Sequence, residues 1–231
     1  MSLRCNMQVP LRVARHLRVE HMGGQVPYLE MLARQEERHR DVLAGVQNDT
    51  LILLEHAPVV TLGRNSNTTH VLLSQEALKK RGVSYCETGR GGDVTYHGPG
   101  QLVGYPIVAL QEHERDVRAY VSRLEDVLIR TVSDFGIVAT REEGLRGIWV
   151  GKNKLAAVGV RLSRWGTMHG LALNITTDVH AFDVIVPCGI RDRGVTSMAL
   201  LLGNAPAWED VEARVVFHFE RVFERFIGDV A

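Results

Sequence analysis

The sequence predicts one α+β domain, residues 1–231, in which helices flank a mixed β-sheet. Short apolar runs with strand spacing recur along the chain, and three longer segments carry an apolar stripe of helical period. No repeat, low-complexity tract or flexible linker separates these segments. Because a chain of this length buries roughly 70% of its unfolded surface, we expect it to fold without disulfides.

The first four elements are predicted to be a strand, a helix and two further strands. Apolar residues alternate from Leu11 to Val19, which favours a strand, although this Arg-rich, acid-free start is also typical of a transit peptide. Pro27 suits the start of a helix, and residues 50–56 and 59–64 predict strands on either side of a turn at Pro58. The helical stripe after Pro27 comprises Leu29, Leu32, Ala33, Leu43 and Val46.

A short helix, two strands and a long helix follow. Ser74 can cap a helix that continues to Lys80 and closes at Gly82. Residues 83–88 and 102–110 predict the strands that flank a glycine-rich loop. The long helix, Glu114–Phe135, is stopped by Gly136, and its apolar stripe consists of Val117, Tyr120, Val121, Leu124, Leu128, Val132 and Phe135.

The last part of the chain predicts three strands and a helix. Residues 147–151, 154–162 and 166–175 have the composition of successive strands separated by Gly, Asn and Ser turns. The final helix, residues 208–226, carries Val211, Val215, Phe219 and Val222 on one face.

Composition excludes several classes of function. Lys plus Arg and Asp plus Glu each number 27, and this zero net charge argues against nucleic acid or an anionic membrane as the main partner. No apolar run approaches the roughly 18 residues of a membrane span. The three cysteines, Cys5, Cys86 and Cys188, lack ligand spacing, and no His-x-x-x-His pair occurs, so we expect no metal site.

The glycine-rich loop "GRGGDVTYHGPGQ", residues 89–101, does not have the form of a nucleotide site. It lacks both the Gly-Lys-Ser/Thr ending of a P-loop and the G-x-G-x-x-G spacing of a dinucleotide fold. His97 within it and His169 further along each precede a glycine. Each histidine either lines a ligand pocket or bonds its loop to the core, and the pattern leaves both interpretations open.

One cysteine and one lysine are candidates for covalent chemistry. In "VIVPCGI" an apolar strand is predicted to end at Pro187, so Cys188 stands at a turn, either with an exposed sulfur or as a buried thiol. A nucleophilic thiol needs a neighbour that lowers its pKa from about 8.5. Lys154 begins an apolar strand and can exchange a proton with such a thiol, whereas Lys152 suits an exposed turn. Cys86 is expected to pack within its strand.

Together these segments resemble the octanoyl-[acyl-carrier-protein]:protein octanoyltransferases of lipoate biosynthesis, often called LipB. The motifs lie in order between Leu53 and Ser197, about two-thirds of the chain. They are "LLEHAPVVTLGR", "GRGGDVTYHGPGQLVGYPI", "GIWVGKNKLAAVGVR", "HGLALNITTD" and "VIVPCGIRDRGVTS". The resemblance implies the mixed-sheet catalytic fold of the biotin and lipoate protein ligases.

The resemblance also implies a mechanism and a set of site residues. An octanoyl group would pass from acyl carrier protein to Cys188 as a thioester, with Lys154 as the base, and then to a lysine of a lipoyl domain. No ATP, metal or other cofactor would be needed. Backbone N–H groups near Cys188 and in the glycine-rich loop are the hypothesised oxyanion donors. The substrate-contacting residues would be Arg90, Gly91, Gly92, Asp93, Val94, Thr95, Tyr96, His97, Ala157, Val158, Gly159, Gly170, Leu171 and Ala172.

The implied partners are acidic proteins. They are acyl carrier protein, the lipoyl domains of 2-oxoacid dehydrogenase complexes and the glycine cleavage H protein. A basic face near the tunnel mouth would complement them. Its candidates are Arg64, Arg90, Arg146, Arg191 and Arg193. We expect a monomer in the cytoplasm, with mitochondria left open by the Arg-rich start.

Two alternatives compete with this interpretation. A lipoate or biotin protein ligase shares the fold but activates a free acid with ATP and needs no cysteine. A non-catalytic acyl-carrier-binding module would bind the carrier without forming a covalent adduct. Dependence on ATP and formation of an adduct therefore separate the three hypotheses.

Overall fold

The computed structural model describes residues 15–186 and 193–227. The described strands are β1 (Arg15–His21), β2 (Asp49–Leu54), β3 (Val59–Leu62), β4 (Ser84–Glu87), β5 (Val94–His97), β6 (Gln101–Ile107), β7 (Thr140–Glu142), β8 (Leu145–Val150), β9 (Asn153–Ser163), β10 (Gly166–Asn174), β11 (Gly194–Val195) and β12 (Arg225–Ile227). The helices are α1 (Tyr28–Leu43), α2 (Gln75–Lys80), α3 (Val117–Ser133), α4 (Met198–Leu202) and α5 (Trp208–Phe223). Short 3₁₀ turns cover Thr68–His70, Glu112–Glu114 and Val179–Val184.

A mixed sheet in the order β12-β1-β2-β6-β10-β9-β8-β7 forms the centre of the molecule, and β11 pairs with β9. Helices α3 and α5 cover one face, where Leu51 and Leu53 of β2 join the core. Helix α1 lies on the opposite face, against Ile52 and Leu54 of the same strand. Strand β2 is therefore buried on both faces, as its continuous apolar run predicts.

A smaller sheet, β4-β3-β5, carries the glycine-rich loop. Strand β3 runs parallel to β4 and antiparallel to β5. Residues 94–97 of the segment predicted to be a loop form β5, and residues 89–93 of that segment lead from β4 into it. The loop meets the large sheet where the Gly91 N–H donates to the Val160 carbonyl of β9 at 2.8 Å. This contact places the glycine-rich backbone directly beside β9.

Local stop and start signals predicted several boundaries well. The Ser74 hydroxyl accepts the Ala77 N–H at 3.2 Å, and α2 ends with Gly82 at a positive φ of 71°. Gly136 has a φ of 81° just after α3. Helix α3 itself begins at Val117, because the Asp116 carboxylate caps it by accepting the Arg118 and Ala119 N–H groups.

The predicted apolar stripe of α1 is wrong in most positions, although Leu32 does pack against the core. Leu29 and Val46 are 67% and 73% exposed. The buried face instead consists of Tyr28, Met31, Gln35, His39 and Val42. Polar residues hold two of these positions, and the Gln35 side-chain oxygen accepts the buried His169 N–H at 2.8 Å. A pattern of aliphatic residues alone could not identify that face.

Two boundaries near the end of the chain also differ from prediction. Residues 179–184 form a 3₁₀ turn, and Ile185 makes a single antiparallel bridge to Val71, so the strand expected up to Pro187 is not formed there. Pro187 itself lies outside the described residues, as do residues 11–14 of the expected first strand. Helix α5 ends at Phe223 because Glu224 adopts a left-handed φ of 52° and the chain turns into β12.

Candidate functional site

A cavity of about 450 Å³ lies between the glycine-rich loop, β9, β10 and the start of α3. This volume is within the range of small-molecule sites. The structure brings together at its wall Lys154 and the following residues that the resemblance assigned to substrate: Arg90, Gly91, Gly92, Asp93, Val94, Thr95, His97, Ala157, Val158, Gly159, Gly170, Leu171 and Ala172.

Tyr96 is the predicted contact residue that does not line this cavity. Its ring packs in the small-sheet core against Phe182, with ring centroids 5.3 Å apart. Its neighbours Thr95 and His97 both reach the cavity wall. Since successive side chains of a strand point to opposite faces, the residue between them is directed away.

Arg90 braces the glycine-rich loop. Its guanidinium is buried and donates to the Thr61 carbonyl at 2.6 Å and to the Gly91 carbonyl at 3.1 Å. Because the guanidinium is buried and bonded to this backbone, Arg90 does not belong to an exposed basic face. The Gly91 N–H is bonded to Val160, and it is therefore not available as the hypothesised oxyanion donor.

Two opposed glycines form a part of the wall where backbones approach closely. Gly159 of β9 pairs with Gly170 of β10. A Cβ atom at Gly170 would lie 2.3 Å from the Gly104 carbonyl oxygen, and one at Gly159 would lie 3.2 Å from the Gly91 oxygen. Side chains are excluded here, and the cavity is bounded by backbone.

The imidazole rings of His97 and His169 line the cavity in their neutral form. Burial lowers the pKa of His97 and of His169 to about 3, so both rings are uncharged at neutral pH. His97 Nδ1 lies 2.7 Å from the side-chain oxygen of Gln101, whose amide nitrogen donates to Asn174. The sequence left open whether each histidine lines a pocket or bonds its loop. Both His97 and His169 line the cavity, and His97 also makes a bond within its loop.

His169 combines backbone strain with an unsatisfied polar atom. It has a φ of 57° within β10, a region that residues other than glycine seldom adopt. Its Nε2 atom is buried and has no hydrogen-bond partner among the described residues. Strain and an unpaired polar group are both more frequent at functional sites than elsewhere.

Lys154 is held at the beginning of β9. It is 9% exposed, and its Nζ atom lies 4.7 Å from the centroid of the Trp149 ring. Arg193 lies over the same ring at 5.4 Å. Trp149 thus carries two cations on its indole, an arrangement of cation–π contacts that the sequence pattern did not reveal.

Cys188 lies outside the described residues. The described chain on both sides of it borders the cavity, since Phe182 and Val195 contribute to the lining. Val195 also pairs with Lys154, and the Thr196 N–H donates to the Lys154 carbonyl at 3.0 Å. The backbone that follows the Cys188 segment, residues 187–192, is therefore hydrogen-bonded to Lys154, the candidate base.

Among the described residues, Cys86 does not line the cavity. Cys86 is buried in β4, and burial raises the pKa of its thiol, which disfavours the reactive thiolate. This agrees with its predicted packing role. Cys5 lies outside the described residues.

The mouth of the cavity contains apolar and basic residues. Val117 was predicted to be a core residue, but it is 45% exposed and lines the cavity together with Leu145 and Arg146. Arg64 and Arg146 are exposed, whereas Arg193 is paired with Glu142 at 3.0 Å. Arg191 lies outside the described residues.

Within residues 15–186 and 193–227, no group of three His, Cys, Asp or Glu side chains is arranged to hold a metal ion. In the same part of the chain, no helix combines the length and apolarity that crossing a bilayer requires.

Comparison with known proteins identifies the family. The lipoyl protein ligase A/B catalytic domain matches residues 27–220. A protein named octanoyltransferase from Solibacter usitatus is 48% identical over 201 residues, 87% of this chain and 90% of the relative. One of the same name from Caldicellulosiruptor bescii is also 48% identical, over 89% of this chain and 91% of the relative.

The fold prediction is confirmed by solved structures. The bipartite lipoate protein ligase of Thermoplasma acidophilum superposes with a TM-score of 0.70 over 94% of this chain and 88% of its own. At 15% identity this similarity establishes the fold alone. It supports the α+β arrangement, with a mixed sheet flanked by helices, that the sequence predicted.

Proposed function

The chain belongs to the lipoyl protein ligase A/B catalytic-domain family, and from its relatives named octanoyltransferase we propose that it is an octanoyltransferase. It transfers an octanoyl group from octanoyl-acyl carrier protein, through a thioester on Cys188, to the target lysine of a lipoyl domain. The observation that carries this proposal is the cavity, which combines a wall of glycine and alanine with a buried lysine. The names of relatives that are 48% identical support the same acyl group.

The first half-reaction exchanges one thioester for another. Lys154 accepts the Cys188 proton, and the thiolate attacks the octanoyl carbonyl carbon. The bond from that carbon to the carrier's sulfur breaks, and the departing thiolate takes a proton from the Lys154 ammonium. Donor and product are both thioesters, so the step needs neither ATP nor a metal.

The second half-reaction forms an amide. The incoming lysine of the lipoyl domain attacks the Cys188 thioester as a neutral amine, and Lys154 accepts the proton that the amine loses. The carbon–sulfur bond breaks and returns the cysteine as a thiolate. Amide formation from a thioester is downhill, which makes the transfer effectively one-way.

The cavity wall suits an apolar acyl chain. Each methylene buried there contributes about 0.8 kcal/mol, so affinity follows the length that fits. Ala157, Ala172 and the Gly159–Gly170 pair leave the space that such a chain needs. The neutral rings of His97 and His169 add no charge of their own to this wall.

The proposed partners meet the enzyme at the cavity mouth. Acyl carrier protein, lipoyl domains of 2-oxoacid dehydrogenase complexes and the glycine cleavage H protein are expected to be acidic. Arg64 and Arg146 are exposed and can attract them, while Val117 offers an apolar contact at the rim. The cytoplasmic location and the monomeric state expected from the sequence are part of this proposal.

The proposal predicts a covalent octanoyl adduct on Cys188. Wild-type enzyme and Cys188→Ala are each mixed with octanoyl-acyl carrier protein without ATP, and the intact protein mass is measured. We expect an added octanoyl group, removable by hydroxylamine, on the wild type and none on Cys188→Ala. Octanoylation of a lipoyl domain that requires free octanoate and ATP, and persists in Cys188→Ala, would instead identify a ligase. Binding of the carrier without any adduct or transfer would identify a non-catalytic module.

A glycine substitution tests whether the loop forms the wall of the acyl site. Gly92 and Gly82 both have positive φ, 87° and 71°, but Gly92 lines the cavity and Gly82 lies at the end of α2. Valine at either position is strained by about 1–2 kcal/mol or more. We expect Gly92→Val to lose most octanoyl transfer in vitro, whereas Gly82→Val retains it at similar stability. Equal activity in the two variants would contradict the assignment of the loop.

A further inference from the structure

The Asp93 side chain joins the glycine-rich loop to the 3₁₀ turn at Thr68–His70. Its Oδ2 atom lies 2.5 Å from His70 Nδ1, and its Oδ1 atom accepts the Asn67 N–H at 3.1 Å. The Asp93 carbonyl accepts the Gly63 N–H at 3.1 Å. Both carboxylate oxygens are therefore engaged by protein, although Asp93 borders the cavity.

The same turn is bonded to the chain that enters the Cys188 segment. The Val186 N–H donates to the His70 carbonyl at 2.7 Å, and the Leu72 N–H donates to the Val184 carbonyl at 2.9 Å. Val71 and Ile185 form the antiparallel bridge between these two bonds. Val186 is the last described residue before Cys188, so the backbone of His70 anchors the described approach to the candidate nucleophile.

The chemistry of the pair determines which group donates. An ionised carboxylate can only accept hydrogen bonds, so His70 Nδ1 must carry the hydrogen directed at Asp93. Charge-assisted bonds of this kind are shorter and roughly twice as strong as neutral ones. The pair is also shielded, since the side chains of His70 and Asp93 are 27% and 16% exposed.

We propose that the His70–Asp93 pair is a positioning element for octanoyl transfer. It fixes the glycine-rich wall of the acyl site relative to the backbone that leads into Cys188. His70 does not line the cavity, and it acts through the two segments that it connects rather than on the reacting atoms. This inference rests on the proposed function, because the pair would align the octanoyl thioester of the donor with Cys188.

A substitution series separates positioning from simple stabilisation. His70→Leu removes the donor, whereas His70→Asn retains a side-chain N–H close to the position of Nδ1. Misplacement of a reacting group by about 1 Å can cost up to 10²-fold. We expect His70→Leu to lower kcat roughly ten- to a hundredfold with little change in KM, and His70→Asn to recover most of that loss. Each variant is assayed below its own unfolding temperature.

A second His–Asp pair supplies a matched control. His180 Nδ1 and Asp183 Oδ2 are 3.3 Å apart, and their side chains are 83% and 75% exposed. His180→Leu removes an equivalent donor from a solvent-exposed pair, and we expect it to leave kcat unchanged. The inference is overturned if His70→Leu behaves like His180→Leu, or if His70→Asn is as slow as His70→Leu.

Failure of the proposed function can be distinguished from failure of this inference. The octanoyl adduct on wild-type Cys188, measured in parallel, tests the function itself. If that adduct is absent, alkylation of Cys188 by iodoacetamide still reports on the approach to the thiol, by peptide mass spectrometry. We expect His70→Leu to change this rate severalfold and His180→Leu to leave it unchanged. Identical alkylation rates in the wild type and both variants would refute the positioning role.

Discussion

Substitution of Lys154 by methionine is expected to lower the rate of octanoyl transfer by about 10²–10⁴-fold, the usual contribution of a positioned acid or base. Methionine retains an unbranched stem of similar length, so it can pack against Trp149 where Lys154 now lies. It removes the amine to which the proposed mechanism assigns proton transfer in both half-reactions. The measurement is a single-turnover time course of octanoyl adduct formation, followed by mass after acid quenching.

Lys152 provides the control for this substitution. It lies two residues away, in the exposed turn between β8 and β9, and it does not line the cavity. Lys152→Met makes the same chemical change at the surface, and we expect its adduct to form within about twofold of the wild-type rate, as is usual for a surface change away from a site. A Lys154→Met enzyme within a fewfold of wild type would remove Lys154 from the mechanism.

Elements with a strong local signal could be predicted from the sequence. Strand β2 is a continuous apolar run, and α2 has a serine cap and a closing glycine, so neighbouring residues alone specify them. The stripe of α1 could not be predicted in this way. Gln35 and His39 are buried there because other parts of the fold surround them, and His169, to which Gln35 bonds, is 134 positions away in sequence.

In the site, too, some features could be predicted from neighbouring residues, whereas others depend on contacts between distant parts of the chain. Lys154 was identifiable because it begins an apolar strand, but its contact with Trp149 depends on the pairing of β8 with β9. Arg90 was a candidate for the basic face that would complement acidic partners, but its guanidinium is buried and bonded to the backbone of Thr61 and Gly91. The role assigned to Cys188 came from family resemblance, because the local pattern was equally compatible with a buried thiol.

The buried charge network around Arg225 predicts the largest effect on stability. Arg225 donates to Asp49 at 2.6 Å and makes a bidentate pair with Glu114 at 2.8 and 2.9 Å. It thereby attaches β12 to β2 and to the turn before α3. Arg225→Met removes the buried guanidinium that binds both carboxylates, and we expect the free energy of unfolding to fall by about 3–5 kcal/mol. Urea titration measures this change, with Arg221→Met on the exposed surface of α5 as the control.

The same network predicts how stability depends on pH. Burial by itself raises the pKa of Glu114, but hydrogen bonds from Arg225 and Gln111 and the charges of Arg225 and Arg123 outweigh it and lower the pKa to about 2. The unfolded value is 4.5, so the stabilisation is complete above that pH and is lost as the pH falls towards 2. At 1.36 kcal/mol per pKa unit this loss amounts to about 3 kcal/mol. In Arg225→Met the main cause of the low pKa is gone, and the acid-induced fall in stability should shrink accordingly. An equally steep fall in the variant would show that other carboxylates dominate the acid response.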